Sequence, residues 1–215
     1  MVHDPGERRT ANSEQPLHLH PIHDRLISRS EREQRNGHRA GVIWLTGLSG
    51  SGKSTLAESL ERRLFADRVQ VVVLDGDNIR SGINNNLSFS EADRAENIRR
   101  IAEVAKLFVQ AGQVVITSFI SPTIAMRQMA REIIGMHDFY EVFVDSPLEV
   151  CESRDVKGLY QKARAGQIPD FTGIHSAYEP PQTPDLHIDT AGQSPKESLG
   201  QLYQFVRDIM VVDEQ

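Results

Sequence analysis

Eight consecutive residues constrain this chain more than any others. Gly47, Leu48, Ser49, Gly50, Ser51, Gly52, Lys53 and Ser54 satisfy G-x-x-x-x-G-K-[ST] at every fixed position, and Thr55 follows directly. Ahead of them lies a short β-rich run at 42–46 (VIWLT), and behind them a helix-like stretch at 55–65. A glycine-rich turn between a strand and a helix lets consecutive backbone N–H groups converge on an anion, and the helix N-terminus adds its positive dipole end. Lys53 brings a charge to the β- and γ-phosphates, and the Ser54 hydroxyl is the expected Mg²⁺ ligand. The cradle predicts a bound nucleoside triphosphate with Mg²⁺.

The remainder repeats the same alternation. Apolar runs recur at 69–74 (VQVVVL), 114–118 (VVITS), 141–145 (EVFVD) and 186–189 (LHID). Helical stretches separate them, the clearest at 91–111, where Ile98, Ile101, Ala105 and Phe108 recur three and four apart. A closing helix is predicted at 196–212. Nearly continuous apolar strands alternating with helices predict an α/β fold, a parallel five-stranded sheet with helices on both faces, as in P-loop kinases. Residues 154–184 break this rhythm with Gly, Pro and charge, and a mobile lid is predicted at about 154–176.

Residues 1–35 read as a tail and arm ahead of a domain filling 36–215. The stretch 1–15 lacks apolar periodicity and reads as a flexible tail. Leu17, Leu19, Ile22, Leu26 and Ile27 are anchors expected to pack on the domain, and Ser28 and Ser30 before Glu31 and Glu33 signal a short helix ending at Gly37.

Composition narrows the function. Thirty acids against 24 bases leave a net charge of −6, the wrong sign for general nucleic-acid affinity. The first 40 residues carry about +1 of this and the rest −7, so attraction for an anion must be built locally. No run approaches the roughly 18 apolar residues of a membrane span, and nothing at the N-terminus reads as a secretory signal. The expectation is a cytoplasmic protein with no membrane and no nucleic-acid partner. The single cysteine, Cys151, allows no disulfide within one chain and fits a reducing compartment. His18, His20 and His23 cluster without helical spacing, and no zinc site is expected.

The acceptor side has its own candidates. The second strand ends in Asp75-Gly76-Asp77-Asn78-Ile79-Arg80, at the sheet edge where ligands of parallel sheets bind. One carboxylate of the pair can take the proton of an attacking hydroxyl while the other helps hold Mg²⁺. Arg80 offers a bidentate donor to a second anion. Ser90-Glu-Ala-Asp93 reads as a capping box, with Phe89, Arg94 and Asn97 around the first turns of its helix. Ser121, after a third strand, can touch the transferred group or simply cap a helix before Pro122. Asp145 ends a strand like a metal-coordinating aspartate, or like an ordinary solvated one. The guanine-reading N-K-x-D of GTPases is absent.

These pieces, in this order, resemble the adenylyl-sulfate kinase family, which phosphorylates the 3′-hydroxyl of adenosine 5′-phosphosulfate (APS) with ATP. The matching stretches are GLSGSGKST (47–55), LDGDNIR (74–80), FSEADRAENIRRIAEVAKLF (89–108), SFISP (118–122), the run from EVFVD to FTGI (141–174) and YEPP (178–181), with NGHR (36–39) before the first strand. The resemblance covers essentially all of 36–210.

It implies that Asp77, Asn78, Arg80, Phe89, Arg94, Asn97, Ile120 and Ser121 contact APS, and that Lys157, Leu159 and Phe171 close over it. Phe89 and Phe171 would sandwich its adenine. Ser121 matches the serine described in the family as a phosphoserine intermediate, whereas in-line transfer between two bound nucleotides needs no covalent stop. Lys53, Asp75, Asp77 and Ser121 are therefore the catalytic candidates, and the residues leave open which aspartate takes the proton. Asn86 and Ser88 depart from the family's usual Asp and Gly. Family members are commonly dimers, and the apolar arm suits such an interface. Two other readings keep the ATP cradle: a kinase for another small hydroxyl compound, and a non-catalytic sulfonucleotide sensor. Retention of Lys53, Ser54, Asp75 and Asp77 together argues against the sensor.

Overall fold

The structure, a computed structural model, describes Ile22 and residues 25–211. The tail at 1–15, the anchors Leu17 and Leu19, the clustered His18, His20 and His23, and the last residue of the predicted closing helix lie outside the described residues. Five strands, β1 (Gly41–Thr46), β2 (Val71–Asp75), β3 (Val114–Ser118), β4 (Phe139–Asp145) and β5 (Leu186–Asp189), form one sheet in the order β2-β3-β1-β4-β5. Every pairing is parallel, as the apolar runs predict. The helices are α1 (Arg29–Asn36), α2 (Lys53–Ala66), α3 (Gly76–Ser81), α4 (Glu91–Gln110), α5 (Ile124–Ile134), α6 (Leu148–Arg154), α7 (Leu159–Arg164) and α8 (Pro195–Ile209).

Alternation along β1 explains why these strands read as unbroken apolar runs. Val42 and Trp44 enter one core with Ile101 and Ala105 of α4 and Ala130 of α5. Ile43 and Leu45 enter the opposite core with Leu60 of α2 and Leu202 of α8. Both faces are covered, so successive side chains are buried whichever way they point. Trp44 is fully buried between Phe119 and Phe139, with ring centroids 6.2 and 5.4 Å away.

Several predicted boundaries move. The helix after the glycine-rich turn starts at Lys53, inside the motif itself. The second strand begins at Val71: the Gln70 carbonyl still accepts from the Val114 amide of β3, but its N–H is given to Nε2 of buried His38. The stretch that follows the second strand is a short helix, α3, capped by the Asp75 carboxylate accepting from the Asp77 amide.

The arm docks by polar contacts. Helix α1 has the capping box expected at Ser28 and Glu31 and ends at Gly37 in the left-handed conformation. Arg29 binds Asp138 through both terminal nitrogens at 2.6 and 2.8 Å, and Asn36 donates to the Gly112 carbonyl. Ile22, Leu26 and Ile27, expected as apolar anchors, are instead exposed at the surface of the chain.

The lid carries structure of its own. It contains α7 and the end of α6, joined through a small core of Cys151, Tyr160, Ala163 and Phe171. Asp155 accepts from the Tyr160 and Gln161 amides and so starts α7 where helical periodicity is too short to read.

Candidate active site

Strand β1 ends where its neighbours diverge to β3 on one side and β4 on the other, so the glycine-rich turn emerges at the switch point of the sheet. Two glycines there are required by close approach. A Cβ on Gly47 (φ 149°) would lie 2.3 Å from the Val144 carbonyl oxygen, and one on Gly50 (φ 77°) 2.9 Å from that of Cys151. The turn leads into a cavity of about 960 Å³, at the upper end of the roughly 300–1,000 Å³ usual for small-molecule sites. Of the predicted cradle, Ser49, Gly50, Gly52, Lys53, Ser54 and Thr55 line it. Gly47 and Ser51 sit behind that surface, and Leu48 faces a smaller cavity beside the lid.

Lys53 is buried and folds back onto its own turn. Its Nζ donates to the carbonyl oxygens of Gly47 (2.9 Å) and Leu48 (2.7 Å), and burial pushes its pKa down to about 8. An ammonium desolvated this far is relieved by an anion in the turn. Ser54 donates to Asp75 Oδ2 at 2.9 Å, and its oxygen lies 3.2 Å from the Ser118 hydroxyl. A serine hydroxyl and a carboxylate side by side are the hard oxygen donors that suit Mg²⁺. Asp77, two residues on, faces the other way: its Oδ2 lies 2.5 Å from Lys157 Nζ of the lid. Asp75 thus faces the glycine-rich turn and Asp77 the lid.

Of the residues expected on the acceptor side, Arg80, Phe89, Arg94, Asn97, Ile120, Ser121, Lys157, Leu159 and Phe171 line the same cavity, whereas Asn78 does not. Phe89 is about half exposed beneath two guanidinium groups, Arg80 at 4.3 Å and Arg94 at 5.6 Å from its ring centre. Burial and then the Arg94 charge lower the Arg80 pKa, against the opposing pull of Asp93 and Asp77, so two cations share this corner. Arg94 itself pairs with neither Glu91 nor Asp93. It donates to the Phe89 carbonyl, the Asp170 carbonyl and the Thr172 hydroxyl, tying α4 to the lid. Phe171 is buried against Tyr160, edge to face at 5.0 Å, and serves the lid core in this state.

The predicted capping box at Ser90 forms only in half. Ser90 Oγ accepts from the Asp93 amide, but the Asp93 carboxylate turns to the amide and hydroxyl of Ser88. The two unusual residues therefore have partners: Ser88 holds Asp93, and Asn86 Oδ1 accepts from Arg100 at 2.9 Å. Asn97, buried, accepts from Asn84.

Ser121 differs most from expectation. It caps no helix, since Thr123 is the N-cap of α5. Its side chain turns into the core, accepting from Trp44 Nε1 and donating to Thr46 Oγ1, both at 3.1 Å. Asp145 faces the smaller cavity and pairs with His187 at 3.0 Å, the ordinary strand-end reading.

Some lining residues carried no separate signal in the sequence. Arg154 reaches the Thr190 carbonyl at 2.7 Å, Tyr160 donates to the Ser49 carbonyl at 2.9 Å, and Thr190 donates from its hydroxyl to Ser51 and Asp145 carbonyls. Arg154 and Tyr160 lie inside the CESRDVKGLY stretch, and Thr190 at the carboxyl end of β5, so position at the sheet edge was their available cue. Among the described residues no group of three or more His, Cys, Asp and Glu is arranged to hold a metal, and no helix is long and apolar enough to cross a membrane.

Comparison with known proteins agrees with this arrangement. The chain is 55% identical over 193 residues to the adenylyl-sulfate kinase of Bacteroides thetaiotaomicron, covering 90% of this chain and 96% of that one. It is 55% identical over 186 residues to that of Bacillus pumilus, covering 86% and 94%. The APS kinase of Mycobacterium tuberculosis, solved in complex with AMPPNP and APS, superposes with a TM-score of 0.75 at 46% identity, covering 79% of this chain and 98% of that one. Residues 39–189 match the family model described as Adenylylsulphate kinase, and with a parallel sheet, a glycine-rich cradle and a two-sided cavity in place, the chain belongs to the adenylyl-sulfate kinase family.

Proposed function

We propose that this enzyme transfers the γ-phosphoryl group of ATP to the 3′-hydroxyl of adenosine 5′-phosphosulfate. The observation that carries the reading is one cavity lined at one end by Lys53, Ser54 and Asp75 and at the other by Asp77, Arg80 and Phe89. A donor cradle and an anion-and-aromatic acceptor corner then face each other across the Asp75–Asp77 pair, in a chain of this family.

The backbone amides of 47–55 and Lys53 bind the triphosphate, Lys53 exchanging its turn carbonyls for phosphate oxygens. Ser54 and Asp75 would hold Mg²⁺, which supplies positive charge to the phosphate oxygens when bound. Asp77, on the lid side, orients the 3′-hydroxyl and accepts its proton. Arg80 meets the phosphosulfate, and Phe89 offers an aromatic face to the adenine. Arg94 and Lys157 join the lid to this corner, and closure keeps water from the γ-phosphoryl group. Catalysis is then positioning and charge stabilisation.

Ser121 acts without a phosphoserine. Thr46 Oγ1 has one hydrogen, given to the Ile120 carbonyl at 2.8 Å, so Ser121 Oγ spends its own hydrogen on Thr46 while accepting from Trp44. A buried hydroxyl committed on both sides positions the loop. The exposed Ile22, Leu26 and Ile27 support a homodimer through the arm, and a lone buried Cys151 suits a cytoplasmic enzyme.

The test is ADP release with MgATP and APS, AMP, gluconate or no acceptor. ADP formed with APS alone, and lost in Lys53→Ala, is the expected result. ADP formed with AMP or gluconate would keep the kinase and replace the acceptor. No ADP with any acceptor, despite tight nucleotide binding, would leave a sensor.

A further inference from the structure

Beside the acceptor corner lies a buried cation that the reaction does not use directly. The Arg127 side chain is only 3% exposed, and each of its nitrogens meets a different segment. Nε donates to Glu141 of β4 at 2.6 Å, Nη1 to the Ser121 carbonyl at 2.8 Å, and Nη2 to the Glu179 carbonyl at 2.7 Å. Glu179 returns to the same place: its amide donates to the Pro122 carbonyl and its carboxylate accepts from the Ile124 amide.

The segment held this way is the wall of the cavity after β3, including Ile120, Ser121 and Pro122. Ser121 has φ 40°, a left-handed conformation that a non-glycine residue keeps only where its surroundings over-determine it. Four hydrogen bonds do so. Arg127 takes the Ser121 carbonyl, Thr46 takes the Ile120 carbonyl, and Trp44 and Thr46 bracket the Ser121 hydroxyl. Tyr178, just past the lid, donates its hydroxyl to Thr46 Oγ1 at 3.0 Å, since the Thr46 hydrogen is already given to Ile120. The cavity wall and the chain leaving the lid are therefore stitched to one guanidinium and one threonine.

We infer that Arg127 is a positioning residue for the acceptor site: its three-way fork, neutralised by Glu141, fixes the strained 120–122 wall and sets affinity for the sulfonucleotide. This rests on the proposed APS kinase reaction. A buried ion pair alone is weak evidence for stability, and a hydrophobic pair of the same volume often serves as well. Serving three acceptors in one plane is what only arginine does, because lysine is a point charge on a flexible stem.

Arg127→Lys is the discriminating variant, since it keeps the charge beside Glu141 and gives up the fork. Steady-state kinetics with each substrate varied should show KM for APS raised by about tenfold or more, as displacements near 1 Å cost in well-positioned sites. KM for ATP and the calorimetric affinity for ADP should stay within about twofold. Tyr178→Phe, which removes a single hydroxyl, should shift KM for APS in the same direction by less and serves if the lysine variant does not fold. Equal rises in both KM values, or no rise in either variant, overturn the inference. Wild-type enzyme that fails to turn over APS overturns the underlying reaction instead, and the two failures are separated by that control.

Discussion

Lys157 Nζ lies 2.5 Å from Asp77 Oδ2, so a lid residue and the acceptor-side aspartate are joined across the cavity mouth. Both side chains are more than half exposed. Exposed pairs of this kind are worth about 0–1 kcal/mol, so the link is easily exchanged for an incoming sulfonucleotide. Lys157→Ala should leave thermal stability nearly unchanged. A hydrogen bond to a charged group is worth about 1.5–3 kcal/mol, so KM for APS should rise roughly ten- to a hundredfold with little change in KM for ATP. Equal effects on both substrates would remove Lys157 from the acceptor side.

Lys53 makes nucleotide binding depend on pH. Its folded pKa of about 8 lies below the ordinary 10.5, so the unfolded chain holds more protons between these values. Stability of the ligand-free enzyme should therefore rise as pH increases from about 8 towards 10, by the linkage between proton binding and folding. Phosphate oxygens restore the charged form, so ATP binding should take up a proton near pH 8–9 and weaken above it. Titration calorimetry in two buffers of different ionisation enthalpy measures this uptake directly. Heats independent of buffer at pH 8.5, or unaltered uptake in Lys53→Met, would assign the proton elsewhere.

Arg94 ties α4 to the lid through Asp170 and Thr172. Arg94→Ala should free that edge of the lid without unfolding the sheet. Limited proteolysis of the ligand-free protein should then cut within 164–176 at least severalfold faster, and KM for APS should rise. Unchanged cleavage would mean that the Tyr160–Ser49 bond and the small lid core suffice to hold it closed.

Readability of this chain followed the range of the forces involved. The sheet could be read because β1 and its neighbour β3 bury every residue on both faces, which leaves continuous apolar runs. The cradle could be read because Gly47 and Gly50 are dictated by backbone contacts that admit no Cβ. Helices α3 and α7 could not, since each is six residues long and started by an aspartate carboxylate, with no room for a period. Arg127 was invisible for another reason: its three acceptors lie 6, 14 and 52 residues away, and only the folded chain brings them together. The same distance hid the fate of Ser121, whose partners come from β1.

Ser121→Ala tests that fate. The substitution strands Trp44 Nε1, a buried donor, and removes the hydrogen given to Thr46. Leaving a buried donor unpaired costs about 1–3 kcal/mol, and each kcal/mol lowers Tm by about 2–4 °C in a chain of this size. Tm should therefore fall by several degrees, with KM for APS raised as the 120–122 wall loosens. Turnover at saturating APS should nevertheless persist at a sizeable fraction of wild type, because no bond to the phosphoryl group passes through this oxygen. Intact-mass measurement of the wild-type enzyme mixed with ATP alone should show no added phosphate. A stoichiometric phosphoserine at 121, lost together with turnover in the alanine variant, would require the side chain to leave its partners on Trp44 and Thr46 during the cycle and would restore the covalent route.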